Sequence, residues 1–307
     1  MIDLRSDTVT KPSKEMLEIM LSAPLGDDVY GEDPSVNELQ EYAAELSGKE
    51  AAIFMPSGTM TNQVGIKINT EAGDELICEN DAHIYYYETA APSIISRVQI
   101  RPVPSKQGMP LYEDIENTIR PDVYYYPKTT LICLENTHNR HGGTVLKLDE
   151  IEALIGKLKA NHPDKFRYHL DGARLWNAAI ASGNSIKEYC HSFDTISLCL
   201  SKGLGAPVGS VLCGERKYID KALKWRKILG GGMRQSGILA KAALYAIENN
   251  FPKLGEDHEN ATTFANGIII SDYLDCDLST VQTNMVALKC VNGLDADKMI
   301  EALLKNG

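Results

Sequence analysis

Two patterns of apolar and polar positions alternate along the first 250 residues. Compact apolar runs at 51–55, 75–78, 97–101, 130–134, 166–170, 195–200 and 210–213 read as strands. Between several of them, at 34–47, 59–69, 148–161 and 225–249, apolar residues recur every three or four positions and predict helices. Strands that are apolar throughout are buried on both faces. Their alternation with helices predicts an α/β fold, with a mostly parallel sheet of about seven strands flanked by helices. Past Asn250 the pattern changes. Phe251-Pro252 breaks the long helical stretch, two strands are expected at 278–281 and 285–291, and an acid-capped helix starts near Asp295. We therefore expect a large domain over 1–250 and a small α+β domain over 251–307, incomplete where the chain stops at Gly307.

The chain has 307 residues, 43% hydrophobic and 24% charged, enough to bury a core without disulfides or metals. Its net charge of −11 argues against a general nucleic-acid or anionic-membrane binder. No run approaches the ~20 apolar residues of a membrane span. The opening segment MIDLRSD is charged at once and shows no signal-peptide pattern. Seven cysteines form no CxxC pair and are odd in number, so a reduced, cytoplasmic protein is expected.

Ligands of open α/β sheets sit beyond the carboxyl ends of the strands, which directs attention to the residue after each apolar run. Lys202 is the one charged residue between Ile196 and Cys213. It follows a strand and precedes a glycine-rich turn; desolvation there lowers a lysine's pKa and suits an amine that must form an imine. Gly203, Gly205 and Gly209 match neither GxxxxGK[ST] nor GxGxxG, so a nucleotide loop is not expected. Asp171 ends another apolar run. It is either an N-cap for a helix starting near Ala173 or the carboxylate that pairs with a protonated cofactor ring nitrogen. Arg174 carries a planar fork suited to a substrate carboxylate. Ser57-Gly58-Thr59 form a tight turn into a helix, whose free N–H groups and dipole favour a phosphate. His83 follows a strand-like run and has the shape to stack on an aromatic cofactor, and His138 sits just past the run 130–134. His138 with His141, or His169 with Asp171, lacks a third ligand at suitable spacing, so no metal is expected.

At this point the sequence resembles a family, the L-threonine aldolases, which depend on pyridoxal phosphate and share the aspartate-aminotransferase-like fold (fold type I). The resemblance runs from Asp3 to about Asn250. It is carried by 3–10 (DLRSDTVT), 27–34 (DDVYGEDP), 56–62 (PSGTMTN), 135–139 (ENTHN), 169–174 (HLDGAR), 201–210 (SKGLGAPVGS) and 230–235 (GGGMRQ). It implies that Lys202 carries pyridoxal 5'-phosphate as an aldimine, that Asp171 pairs with the pyridine nitrogen and that His83 stacks on the ring. It further implies that Ser57, Gly58 and Thr59 hold the phosphate, that Ser6 and Arg174 hold the amino-acid carboxylate, and that Tyr30 and Tyr87 line the side-chain pocket. Lys227 and Arg234 match a basic pair near the phosphate, reaching from a neighbouring subunit, so a homo-oligomer is implied, at least a dimer and up to a tetramer. His138 matches a second active-site histidine.

The activity implied is retro-aldol cleavage of L-threonine or L-allo-threonine to glycine and acetaldehyde. The base for the β-hydroxyl is left open among His83, His138 and a water. A fuller C-terminal domain in the family supplies a further carboxylate-binding arginine, which no residue here matches. The sister reactions of the same fold, a serine hydroxymethyltransferase-like aldolase, a β-eliminating lyase or a racemase, share the lysine, the acid and the phosphate turn. A non-catalytic binding protein of the same fold is the remaining alternative.

Overall fold

The computed structural model describes residues 3–306. Its strands are β1 (Ala51–Met55), β2 (Glu75–Glu79), β3 (Gln99–Val103), β4 (Ser105–Lys106), β5 (Met109–Pro110), β6 (Thr129–Glu135), β7 (Arg167–Gly172), β8 (Thr195–Cys199), β9 (Ser210–Gly214), β10 (Leu274–Asp275) and β11 (Lys289–Cys290). Its helices are α1 (Lys14–Leu21), α2 (Pro34–Ser47), α3 (Gly58–Asn69), α4 (His83–Tyr86), α5 (Tyr112–Thr118), α6 (Leu148–Asn161), α7 (Leu175–Ser182), α8 (Ile186–Cys190), α9 (Arg216–Ile228), α10 (Gly237–Asn249), α11 (Leu254–Ile268) and α12 (Ala296–Asn306).

Seven strands form one sheet in the order β1-β9-β8-β7-β6-β2-β3. Only β9 runs against its neighbours, pairing antiparallel with both β1 and β8. Two reversals cancel, so β1 points the same way as β8, β7, β6, β2 and β3. All six carboxyl ends therefore share one edge. The expected mostly parallel α/β sheet is borne out.

Strand alternation divides the core into layers. From β1, Ala52 and Phe54 join the main cluster with α2, α6, α7, α8 and α10, while Ala51, Ile53 and Met55 face α3 and α9 on the other side. Local chemistry sets the element bounds. In α2, the Asp33 side chain accepts the N–H groups of Ser35 and Val36, Pro34 occupies the first turn, and Gly48 closes the helix at φ 63°. Gly65 lets α3 lie flat on β7, because a Cβ there would come 2.5 Å from the His169 ring.

Four expected elements differ. The stretch 225–249 is two helices, α9 and α10, separated at Gly230-Gly231-Gly232, with Gly230 at φ 81°. The expected strand at 278–281 is a 3-10 turn, Leu278–Thr280, and only Lys289–Cys290 of 285–291 is strand, paired with β10. The segment is tied instead to the loop after β6: Thr283 Oγ1 donates to the Gly143 carbonyl at 2.7 Å, and the Val145 N–H donates to Gln282 Oε1 at 2.8 Å. The strand expected at 97–101 begins later, at Gln99, because Arg97 takes a left-handed φ of 59°. The helix near Asp295 forms as read, with the Asp295 carboxylate accepting the Lys298 N–H at 2.9 Å.

Candidate active site

Topology brings the turns that follow β1, β2, β6, β7 and β8 to one edge. β8 and β9 are joined by the turn that carries Lys202, whose carbonyl accepts from Gly205 N–H and from Thr10 Oγ1, each at 2.8 Å. Gly209 returns the chain at φ 120°, flush against the Phe54 ring. Asp171 lies on the adjacent strand, opposite Ser197 of β8 and Glu135 of β6. It is buried, with Oδ1 accepting Ala173 N–H at 3.1 Å and Oδ2 accepting Asn62 Nδ2–H at 2.7 Å. The next helix begins at Leu175 with Arg174 in the capping position, so Asp171 is not its N-cap.

Beyond β1, Ser57 caps α3 by accepting the Met60 N–H at 3.2 Å. That leaves the Gly58 and Thr59 N–H groups at the positive end of a twelve-residue helix, where helix geometry provides them no partner. A lysine, a buried carboxylate and a helix N-terminus around one sheet edge match the needs of a phosphorylated aromatic aldehyde: an amine to condense with it, an anion for its ring nitrogen and N–H donors for its phosphate.

After β2, His83 opens α4. Its backbone N–H donates to Glu135 Oε2 at 2.6 Å, and its ring Nδ1 lies 3.0 Å from Glu88 Oε1. Burial pushes the imidazole pKa down, but the Glu88 hydrogen bond and the charges of Asp171 and Glu135 outweigh it and raise it above the ordinary value. The Tyr87 ring sits 5.5 Å from His83, and its hydroxyl accepts from Arg140 at 2.9 Å.

His138 is fully buried beyond β6, with Nε2 at 2.9 Å from Glu79 Oε2. His141 approaches the other Glu79 oxygen at 3.3 Å, and Ser105 donates to it at 2.8 Å. The spacing of His138 and His141 suggested no third ligand; the structure supplies one in Glu79, from a different strand. Burial opposes charge on both partners, yet their attraction wins, lowering the Glu79 pKa and raising that of His138. His169, paired with Asp171 in the sequence reading, points instead at Thr195 and Asn62. Burial pushes its pKa down to about 4.

Of the two residues expected to hold a carboxylate, one is buried and the other exposed. Arg174 is buried and forms a fork with Asp7, Nε to Oδ2 and Nη2 to Oδ1, both at 2.8 Å. Its Nη1 donates to Asn139 Oδ1 at 3.1 Å. Ser6 stays exposed, its hydroxyl 2.8 Å from Thr8 Oγ1 while accepting the Thr8 N–H. The reason is local: Ser6 caps the 3-10 turn Asp7–Val9, which turns the Asp7 side chain inward instead. Asn284, from the C-terminal segment, donates to Asp7 Oδ2 at 3.2 Å. Burial raises the Asp7 pKa, and the Arg174 hydrogen bonds and charge more than reverse this, holding it below the usual carboxylate value.

Tyr30 is exposed at the end of the turn Asp28–Tyr30. Arg234 donates to Asp27 Oδ2 at 2.9 Å, and the Lys227 side chain packs at Gly232. Within the chain these three are not joined to Lys202 or Asp171 by any of the contacts described. Sequence reasoning did not find Asp7, Asn62, Glu79, Glu88, Asn139 or Asn284.

Fold and site together define an α/β enzyme with a lysine, a buried acid and a helix N-terminus at one sheet edge. The family model described as beta-eliminating lyase matches residues 3–291. A low specificity L-threonine aldolase of Escherichia coli K12 is 49% identical over 267 residues, covering 86% of this chain and 78% of that one. A low-specificity L-threonine aldolase of Arabidopsis thaliana is 43% identical over 312 residues, covering 100% and 86%. Among solved structures, a putative L-allo-threonine aldolase of Listeria monocytogenes superposes with a TM-score of 0.81 at 22% identity, over 95% of this chain and 80% of that chain. The threonine aldolase of Leishmania major gives 0.80 at 19%, over 98% and 87%. The chain belongs to the L-threonine aldolase family.

Proposed function

We propose that this protein is a carbon–carbon lyase that cleaves L-threonine and L-allo-threonine to glycine and acetaldehyde with pyridoxal 5'-phosphate bound at Lys202. The observation that carries the reading is the placement of Lys202 and Asp171 at the ends of adjacent parallel strands, with the α3 N-terminus at the same edge. Pyridoxal phosphate, when bound, supplies the electron sink that accepts the electron pair left at Cα as the Cα–Cβ bond breaks.

The protein's own groups have separate tasks. Lys202 offers its amine from an otherwise uncharged turn. Asp171, ordered by Ala173 and Asn62, would pair with the protonated ring nitrogen. Gly58 and Thr59 would donate their N–H groups to the phosphate. Arg174, oriented by Asp7 and Asn139, holds the substrate carboxylate, which fixes the Cα substituents. His83 would stack on the cofactor and would take or return protons at Nε2, since Nδ1 is engaged by Glu88. His138 is sealed from solvent behind Glu79 and acts through the packing of the loop 138–145. Lys227 and Arg234 serve the site of a neighbouring copy, so the working unit is a homo-oligomer of two or four chains in the cytoplasm.

Product analysis tests this reading against its sister reactions. Purified, cofactor-loaded protein is incubated separately with L-threonine, L-serine and L-alanine. Equimolar glycine and acetaldehyde from threonine support the aldolase; pyruvate from serine or D-alanine from L-alanine, with no acetaldehyde from threonine, would overturn it.

A further inference from the structure

Glu88 lies outside every motif that marks the family, yet it is the acceptor on which the polar network of the site converges. Its side chain is fully buried. Oε1 accepts from His83 Nδ1–H at 3.0 Å and from Asn62 Nδ2–H at 2.9 Å, and Oε2 accepts from Gln63 Nε2–H. Asn62 gives its second amide hydrogen to Asp171 Oδ2 at 2.7 Å, so one amide spans the two carboxylates.

The direction of that network follows from its acceptors. Glu88 and Asp171 offer carboxylate oxygens, which only accept, so Asn62 presents its NH2 to both. Its Oδ1 then faces His169 Nε2 at 3.3 Å, while His169 Nδ1 lies 2.9 Å from Thr195 Oγ1. A short α4 carries His83 directly to Glu88, and the two residues that follow, Thr89 and Ala90, take left-handed φ values of 54° and 57°. Non-glycine residues in succession there mark a segment whose geometry the surroundings impose.

We propose that Glu88 is the positioning residue of this site: it holds the proton of neutral His83 on Nδ1, leaves Nε2 as the working nitrogen, and ties His83 to Asp171 through Asn62. The assignment of a task to Nε2 rests on the aldolase reading; the tautomer itself does not. The charged and titratable groups around the ring are Glu88, Asp171, Glu135, Tyr87 and Arg140. Of these, Glu88 alone makes a hydrogen bond to the imidazole among the described contacts. A purely space-filling residue would leave the tautomer and the titration of His83 unchanged when replaced by its amide.

The test is nitrogen-15 NMR of the full, cofactor-loaded chain labelled at histidine, with His83→Asn used to assign the signal. The expected result above the His83 pKa is a protonated Nδ1 and a bare Nε2. In Glu88→Gln the midpoint should fall by about one pH unit, a tenfold loss of proton affinity. A proton on Nε2 in the wild type, or an unmoved midpoint in a folded Glu88→Gln protein, would overturn the proposal. Should Glu88→Gln fail to fold by circular dichroism, the wild-type tautomer decides alone. Acetaldehyde release is read on the same sample. An active enzyme with the wrong tautomer sinks the proposal only, whereas the expected tautomer in a protein that releases no aldehyde sinks the aldolase reading only.

Discussion

Asp7 and Arg174 are 167 positions apart in sequence and meet through two parallel hydrogen bonds of 2.8 Å. The pair uses the Nε/Nη2 edge of the guanidinium. It leaves Arg174 fixed in place, with further hydrogens on Nη1 and Nη2 for a second carboxylate.

Asp7→Asn therefore removes orientation without removing the cation. We expect KM for L-threonine to rise at least about tenfold, equivalent to about 1.4 kcal/mol, with cofactor affinity unchanged. Steady-state kinetics alongside a cofactor titration check this; an unchanged KM would show that Arg174 needs no help from Asp7.

Asp171 keeps the ring nitrogen protonated in the proposed mechanism. Asp171→Ala should still bind cofactor through Lys202 and the α3 turn, but kcat should fall by roughly a hundredfold or more. Activity near that of the wild type would sink the assignment.

The Glu79–His138 pair predicts a pH-dependent stability. His138 has a raised pKa, so its contribution is complete below its unfolded value of about 6.5 and is lost as pH rises through the folded value. Glu79 has a lowered pKa, so its contribution is complete above its unfolded value of about 4.5 and is lost as pH falls through the folded one. The pair is strongest between those unfolded values. Glu79→Gln should cost about 1.5–3 kcal/mol near pH 5.5 and less at pH 9, measured by urea denaturation at both. A cost that grows with pH would contradict the pairing.

Gly209 occupies a left-handed position with the Phe54 ring against its Cα. Gly209→Ala adds both a strained φ and a clash, so we expect a loss of about 2 kcal/mol or more and a displaced Lys202 turn. Thermal unfolding checks the first, and cofactor loading the second.

How much of this was legible in the sequence depended on contrast. Lys202 and Asp171 are polar residues ending long apolar runs, so their placement at strand ends could be read without a structure, as could most strand positions. Glu79 ends β2 in the same way, one residue past the apolar run 75–78, where no change of character sets it apart. Asp7, Asn62, Glu88 and Asn284 lie among other polar residues, where nothing local separates a buried acceptor from a solvated one; only tertiary packing does. The division of 225–249 was signalled by Gly230-Gly231-Gly232, which the helical pattern on either side concealed. Most of the segment 278–291 is held by packing onto 138–145, and only Lys289–Cys290 of it pairs as strand.

The central claim is that Lys202 carries pyridoxal phosphate and that threonine cleavage depends on it. The most direct measurement is the visible absorbance of the purified, reconstituted protein before and after L-threonine is added, beside Lys202→Ala, with acetaldehyde assayed in both. A yellow band that requires Lys202, changes on adding threonine and accompanies acetaldehyde release is the predicted result. A protein that stays colourless after reconstitution, or a Lys202→Ala variant that keeps both the band and the aldehyde, would contradict it.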